Sequence, residues 1–263
     1  MSLEPLTHHR HAALRWRRYT NFHFAAGTSL APLSAGEIGP AALAFPLAVV
    51  QRGETWTVAA LLGLLPEQNL FVDADGIWGA GYIPVVFRAH PFRTGIQADG
   101  KPVLCVDEAE SLVSTQASGE PFFEEDGQLS PVVAQVASFL AEAAQGEAIL
   151  VRACEALRSA GIIEPWPITL QRGGETHDVA GLHRFSEAAL RALEPSDFDE
   201  LRRCDALPLA YAQILSMGHL PRLGRLAAAR GDVQKVDPAL SHREPMVELP
   251  LDSNELWDWS KIR

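Results

Sequence analysis

The chain has 263 residues, of which 47% are hydrophobic and 21% are charged, so it is a globular protein able to bury a large core. Its formal net charge of −11 argues against sequence-independent binding to nucleic acid, because such binding requires clustered Lys and Arg side chains. We therefore predict no nucleic-acid partner.

Cysteine usage and hydropathy predict the compartment. The three cysteines, Cys105, Cys154 and Cys204, lie far apart and show no metal-ligand or C-x-x-C spacing, which is typical of reduced thiols in a reducing compartment. No apolar run is long enough to span a bilayer, and the N-terminus lacks the pattern of a secretory signal. These features predict a cytoplasmic protein without a membrane span. Export by a signal within residues 232–263 is the alternative.

The first half of the chain has mostly extended patterns. Gly and Pro residues interrupt residues 1–40, which predicts an irregular arm. Residues 43–50 and 55–64 are apolar and flank a turn-like Gln-Arg-Gly-Glu, which predicts a β-hairpin. Residues 69–73 and 102–108 are predicted as two further short strands.

The second half is mostly helical. Ser130 and Pro131 are favourable starting residues for a helix that ends at Gly161, with the Ser130 hydroxyl capping free amides and with Gly146 expected to bend or split the helix. A Gly-Gly turn between extended runs predicts a second hairpin over residues 166–185. Short helices are predicted near residues 186–193, 196–204, 208–217 and 221–229. The third of these is apolar nearly all round, so it lies either in the core or in a protein interface.

These elements predict an α+β fold with a β-rich N-terminal half, made of hairpins and a small antiparallel sheet, and a helical C-terminal half that contains an inserted β-hairpin. We predict three regions: an irregular arm over residues 1–40, an α+β domain over residues 41–231, and an acidic, aromatic tail over residues 232–263. The tail either docks on the domain or stays mobile.

The most unusual stretch is FVDADGIWGAGYIPVVFRAHPF, residues 71–92. Asp73, Asp75 and Gly76 predict a turn after a strand, because Asp and Gly adopt the required dihedral angles at low cost. The spacing of the two aspartates resembles the start of a calcium loop. However, Ile77 occupies the fifth position and no Glu follows at the twelfth, so no calcium site is predicted.

The same stretch contains a candidate binding edge. Pro84 is expected to open a short helix that carries Arg88 and ends before Pro91. Near Tyr82 and Phe92, the Arg88 guanidinium is placed to stack on an aromatic ring or to bind a carboxylate through two hydrogen bonds. A purely structural corner is the alternative interpretation.

Other candidate chemistry is weaker. A cluster of three histidines lies near the N-terminus without Cys or carboxylate partners, so no metal site is predicted there. His177 and His183 are predicted to lie on opposite arms of the second hairpin, where they either face each other or only make local hydrogen bonds. The chain has no G-x-S-x-G elbow, P-loop or dinucleotide fingerprint, so we predict no catalytic residue, metal or cofactor.

Several blocks of unusual composition resemble the SapC family of bacterial surface-layer-associated proteins. The blocks that carry the resemblance are LLGLLPEQNLFVDADGIWGAGYIPVVFRAHPF (61–92), LCVDE (104–108), GEPFFEEDGQLSP (119–131) and LPLAYAQILSMGHLPRL (207–223). The resemblance implies a link to the bacterial surface layer and a genomic neighbourhood of flavin-dependent tryptophan-halogenase-like proteins, cupin-like proteins and TonB-dependent receptors. It implies no catalytic residues.

Three hypotheses follow for function. The first is a non-enzymatic accessory or binding protein linked to a surface-layer or TonB-dependent nutrient-uptake system. The second is a modifying enzyme, or a subunit of one, that works with a halogenase-like or cupin-like partner on a small molecule or peptide. It predicts that some of Arg88, His90, His177 and His183 converge in one concave pocket with a perturbed pKa. The third is a structural surface-layer component. The candidate site residues are Tyr82, Arg88, His90, Phe92, His177 and His183. The sequence leaves homo-oligomerisation open.

Overall fold

The computed structural model describes residues 3–97, 101–109, 111–116, 118–233 and 235–238. Its small antiparallel sheets come mostly from the first half of the chain and its longer helices from the second half, which confirms the predicted α+β class. In this part of the chain, no helix combines the length and the apolarity needed to cross a membrane.

Among the described residues the strands are short and pair in four antiparallel sheets. They are β1 (Leu3–Pro5), β2 (Arg15–Trp16), β3 (Leu30–Pro32), β4 (Leu47–Arg52), β5 (Thr55–Leu61), β6 (Phe92–Ile96), β7 (Pro102–Asp107), β8 (Val113–Ser114), β9 (Glu120–Pro121), β10 (Ile163–Pro165), β11 (Ile168–Arg172), β12 (Glu175–Asp178), β13 (His183–Phe185) and β14 (Lys235–Pro238).

The helices lie mainly after residue 130, and those predicted there are present. They are α1 (His8–His11), α2 (Ile38–Ala42), α3 (Val85–Arg88), α4 (Pro131–Ser159), α5 (Glu187–Arg191), α6 (Pro195–Arg203), α7 (Ala206–Ser216) and α8 (Leu220–Ala229). Short 3₁₀ turns cover His23–Ala25, Ala35–Glu37 and Met217–His219.

A five-stranded sheet in the order β10-β13-β4-β5-β3 forms the centre of the molecule. The predicted hairpin β4–β5 is confirmed, with Arg52 paired to Thr55 across a tight turn that contains Gly53 at φ +58°. Residues 47–50 and 58–61 are buried throughout rather than at alternate positions, because helices contact both strands.

Helix α7 joins the core through buried polar groups. The Gln213 amide donates to the Leu47 carbonyl at 2.9 Å, and the Ser216 hydroxyl accepts the Leu47 amide at 2.9 Å. On its other side, Tyr211 and Leu215 are 46% and 78% exposed. The helix therefore has one face in the core and one apolar face at the surface.

Helix α4 is one continuous helix, so the split expected at Gly146 does not occur. A Cβ atom on this glycine would lie 2.9 Å from Ser34 Cβ, so the glycine permits close packing on the 3₁₀ turn that begins at Ala35. The predicted start at Pro131 is confirmed, but the Ser130 hydroxyl donates to the Pro121 carbonyl instead of capping the helix.

The strand predicted over residues 69–73 is wrong. A single bridge between Val72 and Trp78 takes its place. The side-chain oxygen of buried Asn69 accepts a hydrogen bond from the Phe71 amide at 3.0 Å. The Arg230 guanidinium donates hydrogen bonds to three main-chain carbonyls of the segment. Side chains thus occupy backbone groups that a strand would pair with a neighbour.

The second predicted hairpin is confirmed for β11 and β12, which flank the Gly173–Gly174 turn. The predicted facing of its two histidines is wrong. His177 lies opposite Leu170 in this hairpin, whereas His183 pairs with Val49 and Pro165 in the central sheet. Both histidines follow the turn, so they cannot lie on opposite arms.

Short elements also occur in the two predicted flanking regions. β1 pairs with β7, and β3 joins the central sheet. In the C-terminal region, β14 pairs with β11, while residues 239–263 lie outside the described part of the chain. The division into an arm, a domain and a tail stays a prediction.

Candidate functional site

The candidate site is built around α3, which the buried side chain of Glu37 caps. Pro84 precedes this one-turn helix, and the first free amide, that of Val85, donates to Glu37 Oε1 at 2.7 Å. Ser34 donates to Oε2 of the same carboxylate through its amide at 2.9 Å and its hydroxyl at 3.0 Å. Because Glu37 is only 3% exposed, these bonds offset the cost of burying its charge.

A fourth donor connects Glu37 to the protein surface. The Tyr82 hydroxyl donates to Glu37 Oε1 at 3.0 Å and accepts from Arg88 Nη2 at 3.0 Å. We call the chain Glu37–Tyr82–Arg88 the Glu37 relay. Burial, and secondly the negative charge of Glu37, raise the pKa of Tyr82 to about 12, although Arg88 opposes the shift. Tyr82 therefore remains a neutral hydroxyl that can donate and accept at once.

The Arg88 guanidinium lies between two aromatic rings. Its guanidinium carbon lies 5.5 Å from the centroid of the Tyr82 ring and 5.0 Å from that of Phe139 on α4. These are distances at which a cation and an aromatic face attract each other. Within the described residues Arg88 makes no ion pair with a carboxylate. The guanidinium is thus held in place with its charge unneutralised by direct contact.

Arg88 borders a cavity of about 490 Å³, within the range of small-molecule sites. We call it the Arg88 cavity. It is lined by Trp16, Arg18, Tyr19, Arg88, Ala89, His90, Phe92, Val132, Gln135, Val136 and Phe139. Two of these residues are cationic, four carry aromatic rings besides the imidazole, and none is acidic. A smaller cavity of about 230 Å³ adjoins it at Arg88 and Phe139 and is lined by Tyr82 and Glu142 among others.

His90 forms part of the cavity wall as a neutral imidazole. It is 4% exposed, and its ring stacks on Phe24 with centroids 3.8 Å apart and planes 7° apart. Burial, followed by the positive charge of Arg93, lowers the pKa of His90 to about 4, while Asp107 opposes the shift. At neutral pH the ring therefore contributes an uncharged surface.

Phe92 is also buried in the cavity wall. It is 1% exposed and contacts Trp16 edge to face, with ring centroids 4.8 Å apart. Arg88, His90 and Phe92 line the same cavity, and Tyr82 lines the adjoining one. The structure thus brings four of the six candidate residues together.

The remaining two candidates lie elsewhere. The His177 side chain is 49% exposed on β12, 3.9 Å from Glu175. His183 lies edge-on to Trp56, with ring centroids 4.7 Å apart, on the central sheet. Neither lines the Arg88 cavity, so of the four residues that the enzyme hypothesis names only Arg88 and His90 share one cavity.

The candidate metal positions have other roles. Asp73 Oδ1 accepts the amides of Asp75 and Ile77 at 3.0 and 2.8 Å, as the predicted turn requires. His11, fully buried, lies 3.0 Å from Glu108 Oε1, and the same carboxylate binds Arg10. Across the described ranges, no group of three or more His, Cys, Asp or Glu side chains is arranged to hold a metal ion.

Sequence reasoning missed Glu37, Arg18, Tyr19 and Phe139. For Glu37 a signal existed: Ser34-x-x-Glu37 has the spacing of a capping box, and the structure contains one. The other three come from the N-terminal segment and from α4. Only the tertiary fold brings them to Arg88.

The fold and the site together define an α+β protein with a cationic, aromatic-walled cavity. The family model of SapC matches residues 6–223. The chain therefore belongs to the SapC family, as the sequence blocks indicated. No curated protein and no solved structure shows significant similarity to it.

Proposed function

We propose that this chain is a non-enzymatic binding protein of the SapC type, which takes an aromatic carboxylate into the Arg88 cavity. The observation that carries the proposal is the Arg88 guanidinium, which the Glu37 relay holds at the cavity without a carboxylate partner of its own in the described residues. A guanidinium binds a carboxylate through two parallel hydrogen bonds. Aromatic walls provide the complementary surface for a planar ring.

Charge favours an anion over a neutral ligand in this cavity. Arg18 and Arg88 both line it, while no lining residue is acidic. Arg18 is 71% exposed at its side chain and approaches Glu120 at 3.4 Å, so water screens that pair and Arg18 can still attract an anion. Arg88 is the better anchor because the relay and the Phe139 ring restrict its rotamers.

Calorimetric titration with 2-naphthoate tests this proposal, with neutral 2-naphthylmethanol as the matched ligand. We expect saturable binding of the carboxylate, and at least about tenfold weaker binding to Arg88→Gln, because a charge-assisted contact is lost. Arg225→Gln, an exposed arginine on α8 that does not line the cavity, is the control variant. Equal affinity for both ligands, or equal weakening by both variants, would contradict the proposal.

The physiological setting is part of the same proposal. We infer a link to a surface-layer or TonB-dependent uptake system, with a protein partner of the halogenase-like, cupin-like or receptor type, and family membership is its support. We also propose the cytoplasm as the compartment. Affinity purification from the native cell tests the partner, and fractionation of the same cells tests the compartment. Recovery of the chain only in the surface layer would replace this proposal by the structural hypothesis.

A further inference from the structure

Helix α7 keeps one apolar side exposed at the surface. Burial in the core explains only part of its apolar sequence, because Tyr211 and Leu215 are 46% and 78% exposed. Among the large apolar side chains of the described residues, only Leu43 is more exposed than Leu215. Exposed Pro208 precedes Tyr211 by three residues and Leu215 by seven, so these three residues lie on one side of the helix. Such apolar surface is unfavourable in water and is relieved when an apolar group covers it.

The same side becomes cationic in α8. The backbone stays helical from α7 through the 3₁₀ turn Met217–His219 into α8, and Arg222 and Arg225 follow Leu215 at helical spacing. Within the described residues neither arginine forms an ion pair with a carboxylate. Residues 206–231 contain no Asp or Glu. We call the surface formed by the following residues the α7–α8 face: Pro208, Tyr211, Leu215, Arg222 and Arg225.

Carboxylates in the flanking segments leave this charge in place. Asp205 precedes α7, at the opposite end of the helical stretch from the two arginines. Asp232, which follows α8, accepts a hydrogen bond from Gln68 at 2.7 Å. Arg222 lies over the ring of Phe71, and Asp73 in the same segment accepts two amides of its own turn. The α7–α8 face is therefore apolar at one end and attracts anions at the other.

One segment of the same chain has the complementary composition. Residues 239–263 lie outside the described part of the structure, and we call residues 244–259 among them the tail segment. These sixteen residues contain five carboxylates and no Lys, Arg or His. They also contain seven large apolar side chains, which include Leu256, Trp257 and Trp259. Because a guanidinium binds carboxylates and also the faces of indole rings, this composition matches the α7–α8 face in both charge and apolar character.

The described chain ends next to this face. Strand β14 contacts α8, since a Cβ atom on Gly224 would lie 3.0 Å from Val236 Cβ. Nine residues separate Gly224 from Leu215, which is about 14 Å along a helix. Eighteen residues separate Pro238 from Leu256, and a chain of that length extends to at most about 60 Å. The tail segment can therefore reach the α7–α8 face of its own chain, at an effective concentration on the order of millimolar.

We propose that the tail segment covers the α7–α8 face of its own chain, with apolar side chains on Tyr211 and Leu215 and carboxylates at Arg222 and Arg225. This contact goes beyond the proposed function, because no residue of α7 or α8 lines the Arg88 cavity. The chain thereby occupies its own docking surface. A partner that presents an acidic, apolar segment has to displace the tail segment before it binds there.

¹⁹F spectra of the full chain labelled with 5-fluorotryptophan test this contact. The signals of Trp257 and Trp259 are assigned by exchange of each for Phe, and the change in their shifts between H₂O and D₂O measures solvent exposure. We expect at least one of the two to be shielded from solvent in the wild type. The signals of the other four tryptophans show that each variant is folded.

Variants of the face locate the contact. Leu215→Asp should lower the ratio of docked to undocked tail segment at least about tenfold, because it replaces an apolar contact with a charge that repels the acidic segment. Ile96→Asp is the matched control, since Ile96 is 71% exposed on β6, outside the face. Arg225→Glu should lower the ratio about fivefold, whereas Arg52→Glu, an exposed arginine of β4, should leave it unchanged.

Dilution and a free peptide distinguish contact within one chain from contact between chains. Shielding of the tryptophans should persist when the protein is diluted about a hundredfold, because the effective concentration within a chain does not change. A fluorescent peptide of residues 244–259 should bind the full chain with Trp257→Ser and Trp259→Ser at least about tenfold more tightly than the wild type, whose own tail segment competes.

Four results would overturn the proposal. The first is full solvent exposure of both tail tryptophans in the wild type. The second is shielding that survives Leu215→Asp or Arg225→Glu, which would place the contact elsewhere. The third is shielding that is lost on dilution, which would make a second copy of the chain the occupant. The fourth is equal binding of the peptide to both chains, or no binding to either.

Discussion

The close contact of Gly146 in α4 with Ser34 and the 3₁₀ turn Ala35–Glu37 positions Glu37, and exchange of this glycine for alanine tests it. In an open helix the change stabilises a protein by about 0.5–1 kcal/mol, because glycine loses more backbone entropy on folding. Here the new Cβ would lie 2.9 Å from Ser34 Cβ and 3.0 Å from the Ala35 amide nitrogen. Real side chains do not approach so closely, so α4 and the turn must separate.

Overpacking of this kind costs about 1–3 kcal/mol. Combined with the gain in helix propensity, Gly146→Ala should lower the free energy of unfolding by about 0–2.5 kcal/mol. Gly39→Ala is the matched control, because Gly39 is exposed in α2 and a methyl group added there would have no other atom within 4 Å. It should be neutral or stabilising by up to about 1 kcal/mol.

Urea denaturation of the two variants at neutral pH measures the difference, and thermal unfolding should shift by about 2–4 °C for each kcal/mol. Since Ser34 supplies two of the four donors to Glu37, Gly146→Ala should also weaken naphthoate binding, whereas Gly39→Ala should not. A Gly146→Ala protein that is more stable than the wild type and binds naphthoate normally would refute the reasoning.

Three further predictions concern the relay and its surroundings. His90 has a pKa of about 4 against an ordinary 6.5, so its contribution to stability is complete above pH 6.5 and is lost as the pH falls towards 4. The full loss corresponds to about 3 kcal/mol, which solvent screening reduces to about 2 kcal/mol. In His90→Gln the urea concentration at the unfolding midpoint should therefore depend less on pH between 6.5 and 4 than it does in the wild type. Tyr82→Phe should cost about 1.5–3 kcal/mol, because Glu37 loses one donor, and a cost below 0.5 kcal/mol would mean that the relay is not formed in solution. Arg230→Gln should cost about 1–3 kcal/mol and accelerate amide exchange in residues 69–73, since their carbonyls lose a donor; unchanged exchange would contradict this.

Elements that are determined by residues close together in the chain could be predicted from the sequence. The β4–β5 hairpin follows from two apolar runs around a short turn, and α4 follows from a proline start and helical spacing. Both depend on neighbours in the chain. The short helix before His90 was predictable for the same reason, since Pro84 favours the first turn.

Elements that are determined by contacts with residues far away in the chain could not be predicted. Residues 69–73 are not a strand because Arg230, far along the chain, binds their carbonyls. His183 leaves the second hairpin because β4 and β10 offer it partners in the central sheet. Neither partner is visible from the local pattern.

The candidate site likewise has a part that could be predicted from neighbouring residues and a part that depends on the tertiary fold. Tyr82, Arg88, His90 and Phe92 lie within eleven residues of one another, so their proximity was predictable from the chain alone. The buried carboxylate that binds Tyr82 and the Phe139 ring that lies against Arg88 come from other segments. Local sequence thus indicated which residues lie at the candidate site, while the tertiary fold places them around a cavity.

Side-chain ¹⁵N–¹H spectra of the arginines, recorded during a titration with 2-naphthoate, test the central claim most directly. The Arg88 signal is assigned by its absence in Arg88→Gln. We expect this signal to move saturably with the ligand, while the signal of Arg225 stays in place. An unmoved Arg88 signal, or equal and non-saturating movement of both signals, would contradict the assignment of Arg88 as the anion anchor.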